Sequence, residues 1–210
     1  GYLWTAHGRF PTNTPGWWGG AHPFALLETT VIHNGEISSY DANRRFIEMY
    51  GYRCSLQTDT EVIAYIFDFL CRRLGMSQEE AALIVAPPLW DELAMMEEET
   101  ANRITRIRAV FSSLLLNGPF SIVLATPDGI MALNDRLKLR PMVAAENEDL
   151  VAVASEEAAI RKILTGINRI WSPRGGEPVW GKVDLTHPER EPLYAGEGGS
   201  DDAEAAKSKI

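Results

Sequence analysis

Two hundred and ten residues, 45% of them hydrophobic, are enough for one well-buried domain and few for two. A formal charge of -9, from 29 acids against 20 Lys and Arg, disfavours nucleic acid or an anionic membrane surface as partner, because both reward a basic face. No apolar run approaches a membrane span and no signal peptide opens the chain, while Cys54 and Cys71 are too few for a disulfide scaffold, so the expected compartment is a reducing cytoplasm.

Residues 1–9 read as a short strand, followed by a Pro/Gly-rich loop over 11–20 that carries Trp17 and Trp18. Two large aromatics among glycines suit either a mobile flap with a sticky tip or an ordinary loop packed on the core. Leu26, Leu27, Val31 and Ile32 form an apolar strand that stops at Asn34-Gly35, a strong turn dipeptide. A structural hairpin is the plain reading. The same dipeptide also sets a side-chain amide beside an unhindered backbone N–H, the pair of donors a tetrahedral oxyanion requires.

Residues 39–49 are helix-like and Gly51 ends them; 52–56 can return as a short strand. Thr58 and Glu61 have capping-box spacing, with Asp59 a rival N-cap, and an apolar stripe from Val62 to Leu74 follows at helical period. Cys71 sits in that stripe, which suits a buried, inert thiol. Ser77 caps a second helical region interrupted by Pro87-Pro88. Seven acids and no bases lie between Glu79 and Thr100, and Glu99 and Arg103 have the spacing of an i,i+4 pair on a solvated face. Strands are expected at 120–125 and 130–133 around Thr126-Pro127-Asp128-Gly129, and at 141–145 and 150–154. Ser155 then caps a helix over 156–164, ended by Gly166. Residues 196–210 are expected to be a flexible acidic tail. Strands grouped at both ends of a helical middle argue against a βαβ pattern.

Four blocks in order carry a resemblance: Arg9-Phe10-Pro11-Thr12-Asn13-Thr14, Ala21-His22-Pro23-Phe24, His33-Asn34-Gly35-Glu36-Ile37 and Thr58-Asp59-Thr60-Glu61-Val62-Ile63. Together they resemble the glutaminase domain of class II glutamine amidotransferases, which are N-terminal-nucleophile hydrolases. The insert Pro15-Gly16-Trp17-Trp18-Gly19-Gly20 and the form of the third block look closest to glutamate-synthase-like members. The resemblance implies an α+β fold, a four-layer αββα sandwich lacking its first strands here, over residues 1–195. By the same resemblance Arg9 clamps the substrate α-carboxylate, Phe10, Thr12 and Asn13 line the pocket, and His22 lies at its rim. Asp59 receives the ammonium, and the Asn34 amide with the Gly35 N–H stabilises the oxyanion. Trp17 and Trp18 would belong to a lid.

Asp135-Arg136 and Arg140-Pro141 resemble a later family segment, Asp-Arg-x-Gly-x-Arg-Pro, with Lys138 in the glycine position. If that position needs φ > 0, Lys138 must distort the turn or the turn differs. Ala154-Ser155-Glu156 resembles the block at the final strand–helix junction. The family nucleophile is a cysteine at the mature N-terminus, whereas this chain begins Gly1-Tyr2-Leu3 and its cysteines are internal. The expectation is the C-terminal portion of a glutaminase domain, inactive alone, which binds L-glutamine and releases ammonia for a partner synthase domain or subunit. No metal or cofactor is expected in this chain, and any FMN or iron–sulfur group would sit in the partner. The alternative is a glutamine-binding or scaffold domain without chemistry.

Overall fold

The computed structural model describes residues 2–8 and 16–183. β1 (Phe24–Leu26) and β2 (Thr29–Gly35) form an antiparallel hairpin. Leu27 turns the chain at φ 53 with its side chain exposed, so it is a turn residue and not part of one strand with Val31 and Ile32. α1 (Tyr40–Met49) ends where Gly51 adopts φ 86. α2 (Asp59–Phe67) runs on into a π-helical turn, Asp68–Arg73. α3 (Gln78–Val85) opens with a reciprocal Ser77–Glu80 capping box, and α4 (Trp90–Ala94) and α5 (Glu98–Phe111) follow the prolines. β3 (Phe120–Thr126) and β4 (Gly129–Asn134) flank the Pro127-Asp128 turn as their sequence predicts. β5 (Val143–Glu146), β6 (Val151–Ala154), α6 (Glu157–Ile163), β7 (Arg169–Trp171) and β8 (Val179–Lys182) complete the order.

The strands make a five-stranded sheet, β1-β2-β3-β4-β8, and a three-stranded one, β6-β5-β7, both antiparallel. Alternation then builds the layers. Val31, Phe120, Ile122 and Leu133 face α1, α2 and α3 in the main core, with Ile47, Ile63 and Phe67. On the other face Val123, Ala132 and Val179 meet Met142, Ala144 and Val153 of the second sheet. Ala145 packs outward on Ile160 of α6 and on Leu164 just past its end. The result is an α+β architecture of helices, sheet, sheet and helix. Among the described residues no helix is long and apolar enough to cross a membrane.

Several local expectations change. Residues 2–8 and 52–56 form no strand. The reason at 52–56 is Glu61, which is buried and spends its carboxylate on the N–H groups of Ser55 (3.0 Å) and Leu56 (2.8 Å). Glu61 is thus lost to the capping box, and Thr58 caps α2 by accepting the Thr60 N–H at 3.4 Å. Arg103 pairs with Glu80 on α3 at 3.6 Å rather than with Glu99. Ser155 does not cap α6, whose N-cap residue is Glu156.

Candidate functional site

On β2 successive side chains serve opposite layers. Val31 and His33 point to the helices, whereas Ile32 and Asn34 line a cleft of about 950 Å³ on the other face. Its walls include residues 2–8, Ser121 and Val123 of β3, and Val151, Val153 and Ser155. Asn34 is anchored at both ends of its amide. Its Oδ1 accepts from Nη2 of Arg140, and its Nδ2 donates to Ser155 Oγ at 3.4 Å. That contact explains the position of Ser155 better than a helix cap does.

Asn34-Gly35 is not a hairpin turn. Both residues pair with β3, at Ser121 and Phe120, before the chain leaves through Glu36 and Ile37 towards α1. Gly35 has φ +144, and a Cβ there would overlap the Pro119 carbonyl. Glycine is therefore required by both the dihedral and the close backbone approach.

Asp59, the first residue of α2, lies just past the end of β2. Its Oδ1 is 3.2 Å from Nδ1 of buried His33, and the backbone N–H groups of Ile37 and Thr60 face its carboxylate. Burial pushes this carboxyl up, but the His33 hydrogen bond and charge, with the two backbone donors, outweigh it and hold the group below its ordinary value. Asp59 does not line the 950 Å³ cleft. Ile37, two residues beyond Gly35, ties it to the same strand end. A depressed folded-state value contributes stability that is complete above the ordinary aspartate range near pH 4 and lost as pH falls through the lower folded value. Acid unfolding of Asp59→Asn should therefore be less steep in that window than wild type; identical acid limbs would contradict the carboxylate's part in it.

His22 joins the same corner. Its Nε2 lies 2.6 Å from Thr60 Oγ1 and its Nδ1 3.1 Å from Nδ1 of His7, with the two rings edge-on. Trp17 and Trp18 form a T-shaped pair, and Trp18 is 78% exposed, so the loop does not pack both tryptophans on the core. His22 and Asp59 thus meet the first turn of α2 on the helix side of β2, Gly35 ends the strand, and Asn34 faces the cleft on the other side, so the four do not share one cleft. Arg9, Phe10, Thr12 and Asn13 lie outside the described residues, as does the tail from residue 196.

One part of the site had a sequence match but no assigned role. The buried Asp135 carboxylate accepts from the N–H groups of Phe120, Leu137, Leu139 and Arg140, which winds residues 135–140 around it. Lys138 does adopt the left-handed conformation expected of a glycine, φ 53. It is held there by Nζ donating to Ser172 Oγ at 2.6 Å and to the Pro173 carbonyl. Neither cysteine reaches the cleft. Burial and then the Glu61 charge push the Cys54 thiol up to about 11; burial and then the Asp68 charge do the same for Cys71.

The family model for class II glutamine amidotransferases matches residues 2–165. The chain belongs to this family. An uncharacterized protein of Archaeoglobus fulgidus is 51% identical over 87% of this amidotransferase chain and 48% of its own length. A protein of Methanothermobacter thermautotrophicus with the provisional name glutamine amidotransferase is 33% identical over 69% of this chain and 39% of its own. The chain thus spans about half, or less, of the length of these relatives. A solved structure described as the allosteric regulatory enzyme of purine biosynthesis superposes with a TM-score of 0.52 at 16% identity, covering 85% of this chain and 34% of that one. At that identity the likeness speaks for the fold alone, an α+β sandwich of helices and two antiparallel sheets.

Proposed function

We propose that this amidotransferase domain binds L-glutamine at the end of β2 and releases the amide nitrogen as ammonia to a synthase domain or subunit of glutamate-synthase-like kind. The observation that carries the reading is the Asn34-Gly35 strand end, where a carboxamide on the cleft face adjoins a backbone that only glycine can supply. Attack of a thiolate on the glutamine amide puts negative charge on its oxygen, and the Asn34 Nδ2 and Gly35 N–H are the donors for it. Asp59 receives the substrate ammonium, Arg9 clamps the α-carboxylate, and Phe10, Thr12, Asn13 and His22 line the pocket beneath a lid bearing Trp17 and Trp18. Any FMN or iron–sulfur chemistry belongs to the acceptor.

The thiol itself is assigned to polypeptide outside these 210 residues. Both cysteines here are internal, lie away from the cleft and have thiols held neutral by burial. Ammonia and glutamate release should therefore be absent from the 210-residue chain and present in the full-length protein. Turnover by the chain that survived Cys54→Ser with Cys71→Ser would refute a cysteine mechanism. No turnover by the full-length protein would leave a glutamine-binding role only.

A further inference from the structure

We propose that Arg140 is a positioning residue for the oxyanion donor: its guanidinium holds Oδ1 of Asn34 so that Nδ2 turns towards the reacting amide. The proposal rests on the glutaminase reading given above. A carboxamide is nearly symmetric in shape and opposite in chemistry at its two ends. Presented one way Asn34 donates to an oxyanion, and rotated by half a turn it would set its own oxygen against that charge. Something must choose the rotamer.

Ser155 does not, because a hydroxyl both donates and accepts and would satisfy either end. Arg140 does. A guanidinium has donors only, so the end of Asn34 that meets Nη2 has to be the oxygen. The orientation follows from that chemistry and is independent of how the two amide atoms are labelled. The contact is also charge-assisted, and drawing density onto Oδ1 makes the Nδ2 hydrogens better donors.

The fold holds Arg140 for this purpose. Its backbone N–H donates to the buried Asp135 carboxylate at 3.1 Å, so the residue closes the wound loop 135–140. Its Nε is buried with no partner among the described residues, a cost that a solvent-exposed arginine would avoid. Pro141 and Met142, which line the cleft, follow directly.

Two measurements test the assignment. In the 210-residue chain the Asn34 side-chain amide resonances, identified by their disappearance in Asn34→Asp, should move or broaden in Arg140→Met while the backbone spectrum is retained. In the full-length protein Arg140→Met should lower kcat for ammonia release about tenfold to a hundredfold, less than loss of the donor itself, with KM changed by no more than about twofold. In an Asn34→Ala background it should have almost no further effect, since the two residues act as one unit. Arg140→Lys, which keeps a donor-only cation, should recover part of the loss. Unmoved Asn34 resonances, or an equal loss of kcat with and without Asn34, would overturn the proposal. A wild-type full-length protein that released no ammonia would instead overturn the glutaminase reading, and with it the catalytic purpose of a contact that the spectra could still report.

Discussion

Asn34→Ala in the full-length protein is expected to reduce kcat for ammonia release about a hundred- to thousandfold, the effect of about 2.7–4 kcal/mol, with little change in KM. The substrate amide oxygen carries full charge only when the thiolate has added to the carbonyl, so a donor aimed at it acts mainly in the transition state. The geometry favours such a donor. Asn34 is fixed by Arg140 and Ser155 before substrate arrives, so little reorganisation is needed at the moment of reaction. Arg9→Ala provides the contrast, because an α-carboxylate is charged throughout and its clamp should appear chiefly in KM. Steady-state kinetics of the two variants decide the matter. A raised KM with kcat intact in Asn34→Ala would make Asn34 a ground-state contact and remove it from the chemistry.

The second large effect falls on stability. Asp135→Ala should destabilise the domain by about 3–5 kcal/mol, read as a lower urea midpoint at unchanged slope. The carboxylate is the shared acceptor for four backbone N–H groups, and each donor left dry would cost about 1–3 kcal/mol. The sum is reduced because the loop around exposed Leu137 and Leu139 can relax towards water. Asp135→Asn keeps one oxygen and should fall between. A loss below about 1 kcal/mol for Asp135→Ala would mean that the loop holds its shape without its centre, and the route from Asp135 through Arg140 to Asn34 would lose its foundation.

Elements with strong local signals are legible in the sequence. The Pro127-Asp128 hairpin, the Ser77 cap and the apolar stripe of α2 are written in turn and cap residues and in period. The family blocks pointed to Asn34, Gly35, His22 and Asp59, which the sheet divides: Asn34 lines the cleft, whereas Asp59 contacts His33 and His22 contacts Thr60 at the start of α2. What stayed hidden was long-range. Nothing in the stretch around Glu61 says that its carboxylate will serve Ser55 and Leu56, and β7, three residues long, is too short for alternation to register. Lys138 was flagged for the right reason, an awkward φ, but the lysine contacts to Ser172 and Pro173 that hold it there depend on tertiary placement. The turn reading of Asn34-Gly35 failed because the dipeptide's partner strand lies far along the chain, and only the assembled sheet reveals why glycine is needed.

That distance has a kinetic consequence. Arg140 and Ser155, which fix the Asn34 carboxamide, follow it by 106 and 121 residues. Closing loops of that length costs entropy before the contacts they bring can offset it, so Asn34 is expected to gain these two partners late in folding. A nascent or partly folded chain can build the helices and the β3–β4 hairpin from nearby residues while Asn34 is still without orientation. Orientation of the Asn34 carboxamide is therefore a property of the finished fold, and its side-chain amide signal is expected to recover more slowly on refolding than the helical signal.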